Sequence, residues 1–188
     1  MADGSTHRRR LDDPVAAERD IAARLDRAGL EVDYDALSVV SNVYRAATAI
    51  RRHMERTVLA AERLSWTAFV ALWVLWVWDG MESRHLAVEA GVSKGTLTGV
   101  LDTLERRGLV RRRRQEDDRR LVTVTLTVEG DALITRLYPA FNAEETRLTG
   151  SVAAEHRAVV AAGLRDLVRG VDVAAEPPLT RPGAGTDG

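Results

Sequence analysis

Nine cationic side chains crowd into residues 92–120: Lys94, Arg106, Arg107, Arg111, Arg112, Arg113, Arg114, Arg119 and Arg120. Five acids share the stretch (Asp102, Glu105, Glu116, Asp117 and Asp118), which leaves it at +4 in a chain whose net charge is −1. Local charge steers a phosphate partner whatever the total, so the segment outweighs the average. Arginine dominates over lysine, and its planar fork suits phosphate oxygens and narrow minor grooves. Next to the arginines sits a run of small and hydroxyl side chains, Ser93, Lys94, Gly95, Thr96, Thr98 and Gly99. The threonine hydroxyls can bond phosphates or base edges. Ser93 at a helix start offers an anion its hydroxyl and free backbone N–H groups. Two glycines inside a helix cost roughly 1 kcal/mol each relative to alanine. Either Gly95 and Gly99 let the backbone approach a groove closely, or they are tolerated or pack against a neighbouring hairpin.

No other grouping suggests chemistry. His7, His53, His85 and His156 are scattered with no cysteine beside them, so no metal site is expected and thiol redox sensing is excluded. No nucleotide-binding glycine loop, nucleophile elbow or metalloprotease helix motif occurs. The carboxylate clusters Glu144-Glu145 and Glu116-Asp117-Asp118 fall in helix-surface and turn contexts. No catalytic residue, cofactor or enzymatic activity is expected. Trp66, Trp73, Trp76 and Trp78 concentrate in one segment. Trp73 and Trp76 share a side, and read either as core or as the wall of a pocket for a small aromatic effector.

The elements that must position these residues are mostly helical. Pro14 to Arg27 reads as a helix with Gly29 after it. Leu37, Val40, Tyr44, Ala47, Ile50 and Met54 form one apolar stripe, which predicts a long helix over 35–61. Ser65 caps a helix over 66–78, apolar nearly all round and therefore expected to be buried. A short helix over 82–90, a turn at Gly91, and a helix over 94–107 capped by Ser93 and stopped by Gly108 follow. Its inward face is Leu97, Val100, Leu101 and Leu104. Strands over 109–114 and 119–126 flank an arginine-rich tip. The second alternates Val122, Val124 and Leu126 against Thr123 and Thr125. The first puts Arg112 and Arg114 on one face and Arg111 and Arg113 on the other; only one set can face DNA, and Arg112 and Arg114, with Arg119 beyond the tip, are the expected contacts. A helix from Val128 towards Thr149 contains Pro139, and a last helix runs to about Arg169.

This order is a helix-turn-helix followed by a β-wing. The expected fold is mainly α with a small β-wing: a winged helix-turn-helix DNA-binding lobe over about 63–127, and a helical dimerisation layer from 35–61 and 128–170. Together these form a domain over 35–172. Residues 1–13 are expected to be a disordered arm, 14–34 an N-terminal helical extension, and 173–188 a flexible tail. The absence of cysteine and of a signal-like apolar run, with a longest apolar stretch too short to span a bilayer, predicts a cytoplasmic protein with no membrane partner.

The residues 95–112, GTLTGVLDTLERRGLVRR, and the pattern Asp118-Arg119-Arg120, Leu126-Thr127, Gly130 resemble the MarR family of winged-helix transcriptional regulators. The likeness spans about 33–170. It implies a homodimer on double-stranded DNA at a pseudo-palindromic operator, with Arg120 as a wing-tip minor-groove arginine and Asp118 as the acid that orients it. It places Ser93, Lys94, Thr96 and Thr98 at recognition-helix positions. It also implies release by a small aromatic ligand. Two other readings stay open: a protein-interaction module whose basic wing docks an acidic partner, and an architectural coat that binds all duplexes alike.

Overall fold

A computed structural model describes residues 13–114 and 121–175. Its elements are α1 (Pro14–Arg27), α2 (Tyr34–Arg56), α3 (Trp66–Trp78), β1 (Met81–Glu82), α4 (Ser83–Glu89), α5 (Lys94–Arg106), β2 (Val110–Arg114), β3 (Val122–Leu126), α6 (Val128–Thr149) and α7 (Ala154–Ala175). The chain divides into two compact units, residues 1–141 and 142–188, at a point two residues beyond Pro139 within α6.

The first unit is built around leucines. Leu72 and Leu75 of α3, Leu86 of α4, Leu97, Leu101 and Leu104 of α5, Val124 of β3 and Ile134 of α6 are all at most 2% exposed. Each fully buried side chain of this kind stabilises by roughly 1.5–3 kcal/mol relative to exposure. No polar or charged residue is buried among the described residues, so apolar packing specifies the lobe.

Several expectations needed revision. The sequence suggests a two-stranded wing, but the sheet has three strands in the order β1-β3-β2. Met81 and Glu82 pair antiparallel with Val124 and Thr123. Two residues are too few to show an alternating pattern. The helix expected over 35–61 ends at Arg56. There the Thr57 hydroxyl donates to the His53 carbonyl at 2.8 Å, and the Leu59 N–H donates to the Met54 carbonyl at 3.0 Å. This turn folds Leu59 fully into the core, a tertiary gain that outweighs continuing the helix. The helix over 66–78 is not buried throughout: its last turn exposes Trp76, Val77 and Trp78, the last of them by 56%. The final helix continues to Ala175, beyond the expected start of the tail at 173. The first strong breaker there is Pro177-Pro178. The arm over 1–13 falls, apart from Asp13, outside the described residues.

α1 packs on α2. Asp13 caps it by accepting from the Val15 N–H at 3.0 Å. The Asn42 side-chain amide donates to Glu18, and Arg45 donates to the Pro14 carbonyl at 3.4 Å. Most of the α2 stripe is solvent-facing: Val40, Tyr44 and Ile50 are exposed, Tyr44 by 73%, while Met54 is buried. In the second unit, α7 shows Val159, Val160, Leu164, Leu167, Val168 and Val171, all exposed. Among the described residues no helix is long and apolar enough to cross a membrane.

Candidate nucleic-acid interface

The surface begins at Ser93. Its hydroxyl accepts from the Thr96 N–H at 3.2 Å and lies 2.9 Å from the Thr96 hydroxyl, which caps α5. At the other end Gly108 takes φ +70°, which stops the helix. Leu97, Leu101 and Leu104 fix the inward face. Lys94, Gly95, Thr96, Thr98, Gly99 and Asp102 are consequently all exposed. The Thr98 hydroxyl donates to the Lys94 carbonyl at 2.9 Å, which leaves its oxygen free to accept.

Nothing among the described residues explains the glycines. A Cβ at Gly99 would meet no atom within 4 Å, and one at Gly95 would meet only the Ser93 hydroxyl at 3.9 Å. They do not pack against the described strands of the wing. Alanine fits both positions, so the fold does not require the bare backbone.

In the wing, Arg112 pairs in register with Val124, so its side chain starts on the core-facing side of the sheet. Its guanidinium reaches two acids of α5. Nη2 lies 2.6 Å from both Asp102 Oδ1 and Glu105 Oε2, and Nε donates to Glu105 Oε2 at 2.9 Å. The Arg112 backbone N–H donates to the other Glu105 oxygen at 3.2 Å. The hydrogen bonds from Arg112 hold the Glu105 carboxyl below its ordinary pKa, and the two acids raise that of Arg112. The first wing strand is thereby bolted to α5. Arg112, expected from the sequence to be a DNA contact, is engaged within the chain.

Arg107 is engaged too: its guanidinium donates to the carbonyls of Glu62 at 2.9 Å and Arg63 at 3.3 Å, tying the end of α5 to the segment before α3. Arg136 of α6 pairs with the Glu62 carboxylate at 3.0 Å. These partnerships cross between elements and carry no sequence spacing that would reveal them. Lys94, Arg111, Arg113 and Arg114 are exposed and have no ion-pair partner among the described residues. Asp118, Arg119 and Arg120 lie outside the described residues.

Trp66, Trp73 and Trp76 join a cluster of aromatic rings between α3 and α6, and Trp78 does not. Trp73 stacks on Tyr138 with ring centroids 4.2 Å apart, and Trp76 lies 5.5 Å from Trp73. Phe69 stacks on Phe141 at 4.0 Å, with Trp66 at 6.0 Å from Phe141. Trp73 and Trp76 thus pack against one another and Tyr138. A cleft of about 620 Å³ lies elsewhere, between α2, the start of α3 and the turn after α4, with the aromatic rings of Tyr44 and Trp66 and the side chains of Arg51 and Ala90 among its walls. Among the described residues no cluster of His, Asp or Glu could hold a metal ion.

Comparison with known proteins agrees with this geometry. The sequence pattern of the MarR family matches residues 64–122, which span α3 to the start of β3. An uncharacterised helix-turn-helix-type transcriptional regulator, YwaE of Bacillus subtilis, is 37% identical over 149 residues, covering 79% of this chain and 87% of that protein. Among solved structures, the M. tuberculosis regulator MOSR in complex with DNA is 26% identical with a TM-score of 0.61, over 73% of this chain and 98% of that one. A MarR-family regulator from Silicibacter pomeroyi is 28% identical with a TM-score of 0.57, over 72% of this chain and 89% of that one.

Proposed function

The chain belongs to the MarR family of helix-turn-helix transcriptional regulators, and on that premise we propose that it reads a two-fold operator as a homodimer. The single observation that carries the reading is the exposed face of α5, where Ser93, Lys94, Gly95, Thr96, Thr98 and Gly99 form a slim polar ridge and neither glycine has a packing role among the described residues. Such a ridge suits the floor of a major groove, about 12 Å wide. The wing over β2 and β3 then meets the adjacent minor groove, with Arg114 and Arg119 on the backbone and, by the family resemblance, Arg120 at the groove edge. Asp118 orients Arg120 in that reading. Arg112 holds the wing at its angle to α5 and does not touch phosphate.

A second copy covers the exposed apolar faces of α2 and α7. A lone helix-turn-helix makes a small interface, and pairing two sets half-sites about one helical turn apart. The cleft at Tyr44 and Trp66 takes a small aromatic effector, which releases DNA only by preferring a state whose two α5 helices mismatch that repeat.

Selection of bound duplexes from a random pool tests the reading. An inverted repeat with strong salt dependence is expected. Equal binding to all duplexes would mark a coat protein, and failure to bind any duplex would favour the protein-docking alternative.

A further inference from the structure

A helix in a major groove and a hairpin in the neighbouring minor groove straddle one strand of the DNA backbone, so the protein surface between them has to accommodate that ridge of phosphates. In this chain the space between α5, the start of α4 and Leu121, just before β3, is a cleft of about 430 Å³. Leu97 and Leu101 line it together with four polar side chains, Ser83, Arg84, Lys94 and Thr98. Two of these are cations, one from each helix of the helix-turn-helix. Arg84 is 55% exposed and is steadied by Glu82, whose carboxylate lies 2.7 Å from its Nε. Glu82 is itself pinned in β1, in register with Thr123 of the wing. The cation at the cleft is therefore tethered to the sheet that carries the wing. Arg84 lies outside the arginine-rich stretch, and no sequence pattern singled it out.

We propose that this cleft seats the phosphodiester strand between the two grooves, with Arg84 and Lys94 as its charge contacts and Ser83 as a hydroxyl donor. The inference rests on the duplex-binding reading and adds a phosphate subsite to it. Arg84 fixes how deeply α5 sits, and it carries no base specificity.

The test uses the full chain on its selected duplex, with affinity measured between about 50 and 200 mM salt. One phosphate contact contributes roughly 0.9 to the slope of log K against log salt. Arg84→Gln should lose about that much slope, so its affinity falls about 3.5-fold less across the range than wild type. Arg84→Lys should restore the slope, and the selected sequence should be unchanged in both. Ethylation of the phosphates between the two grooves should block wild type and cost Arg84→Gln less. Ser83→Ala should weaken binding at unchanged slope. A wild-type slope in a folded Arg84→Gln, with sequence selection intact, would overturn the subsite and leave the regulator standing. Absence of duplex selection by the wild-type protein would overturn the regulator reading and the subsite with it.

Discussion

Arg112 illustrates how residue type and residue role separate. Strand alternation offers it to DNA, yet Asp102 and Glu105 hold it against α5. Replacing it with alanine should loosen the wing and weaken DNA binding while leaving the salt slope at the wild-type value. A slope lower by about 0.9 would instead make Arg112 a phosphate contact. The pH dependence has a definite sign. Glu105 has a depressed pKa in the folded protein, so its contribution is complete above the ordinary glutamate value of about 4.3 and is lost as pH falls through the folded value. Glu105→Gln should therefore flatten the acid limb of a thermal-stability profile below pH of about 4 and leave the profile near neutrality similar in shape. At Gly99 stability and function should part. Gly99→Ala meets no atom within 4 Å, so it should raise stability by up to about 1 kcal/mol while weakening DNA binding. An alanine variant that binds as well as wild type would show that the bare backbone is not approached. The exposure of both glycines was legible from helical spacing; the Arg112 partners were not, because a contact between a helix and a strand leaves no periodic trace.

At the scale of elements, the junction of β2, β3 and α6 holds the wing's base. Thr127 donates its hydroxyl to the Gly108 carbonyl at 2.6 Å, its oxygen accepts from the Gly130 N–H at 3.0 Å, and its own N–H donates to the Leu109 carbonyl at 3.1 Å. A Cβ at Gly130 would sit 2.0 Å from that same Leu109 carbonyl oxygen. Backbone cannot swing aside as a flexible side chain can, so Gly130→Ala should destabilise by about 3 kcal/mol or more, read as a lowered denaturation midpoint. A near-neutral effect would mean that α6 shifts freely at its start. The sequence shows this glycine only through its resemblance to a family pattern, since nothing local marks a close approach from Leu109, just before β2. α3 was legible from its Ser65 cap and unbroken apolar run, and α5 from its Ser93 cap, its inward leucines and Gly108. β1 and the early end of α2 were not: one is too short to have a period, and the other follows from burying Leu59.

For the whole molecule, the proposed dimer rests on the exposed apolar faces of α2 and α7. Tyr44 and Val40 on α2, and Val160 and Leu164 on α7, are exposed in a single chain. Leu164→Glu should shift the protein from dimer to monomer in sedimentation and weaken operator binding by orders of magnitude, because each half-site alone makes a small interface. A dimer that survives this change would move the interface elsewhere. The apolar periodicity of both helices is plain in the sequence, but periodicity alone does not distinguish a stripe that meets the chain's own core from one that meets a second copy. The most direct measurement of the central claim is dimethyl sulfate protection on the selected operator, because the reagent methylates guanine N7 in the major groove and adenine N3 in the minor groove. Protected guanine N7 positions are expected beneath each α5, with protected adenine N3 positions just outside them at each wing and a repeat of the pattern about one helical turn away across a dyad. Protection confined to one groove, or a footprint without two-fold symmetry, would contradict it.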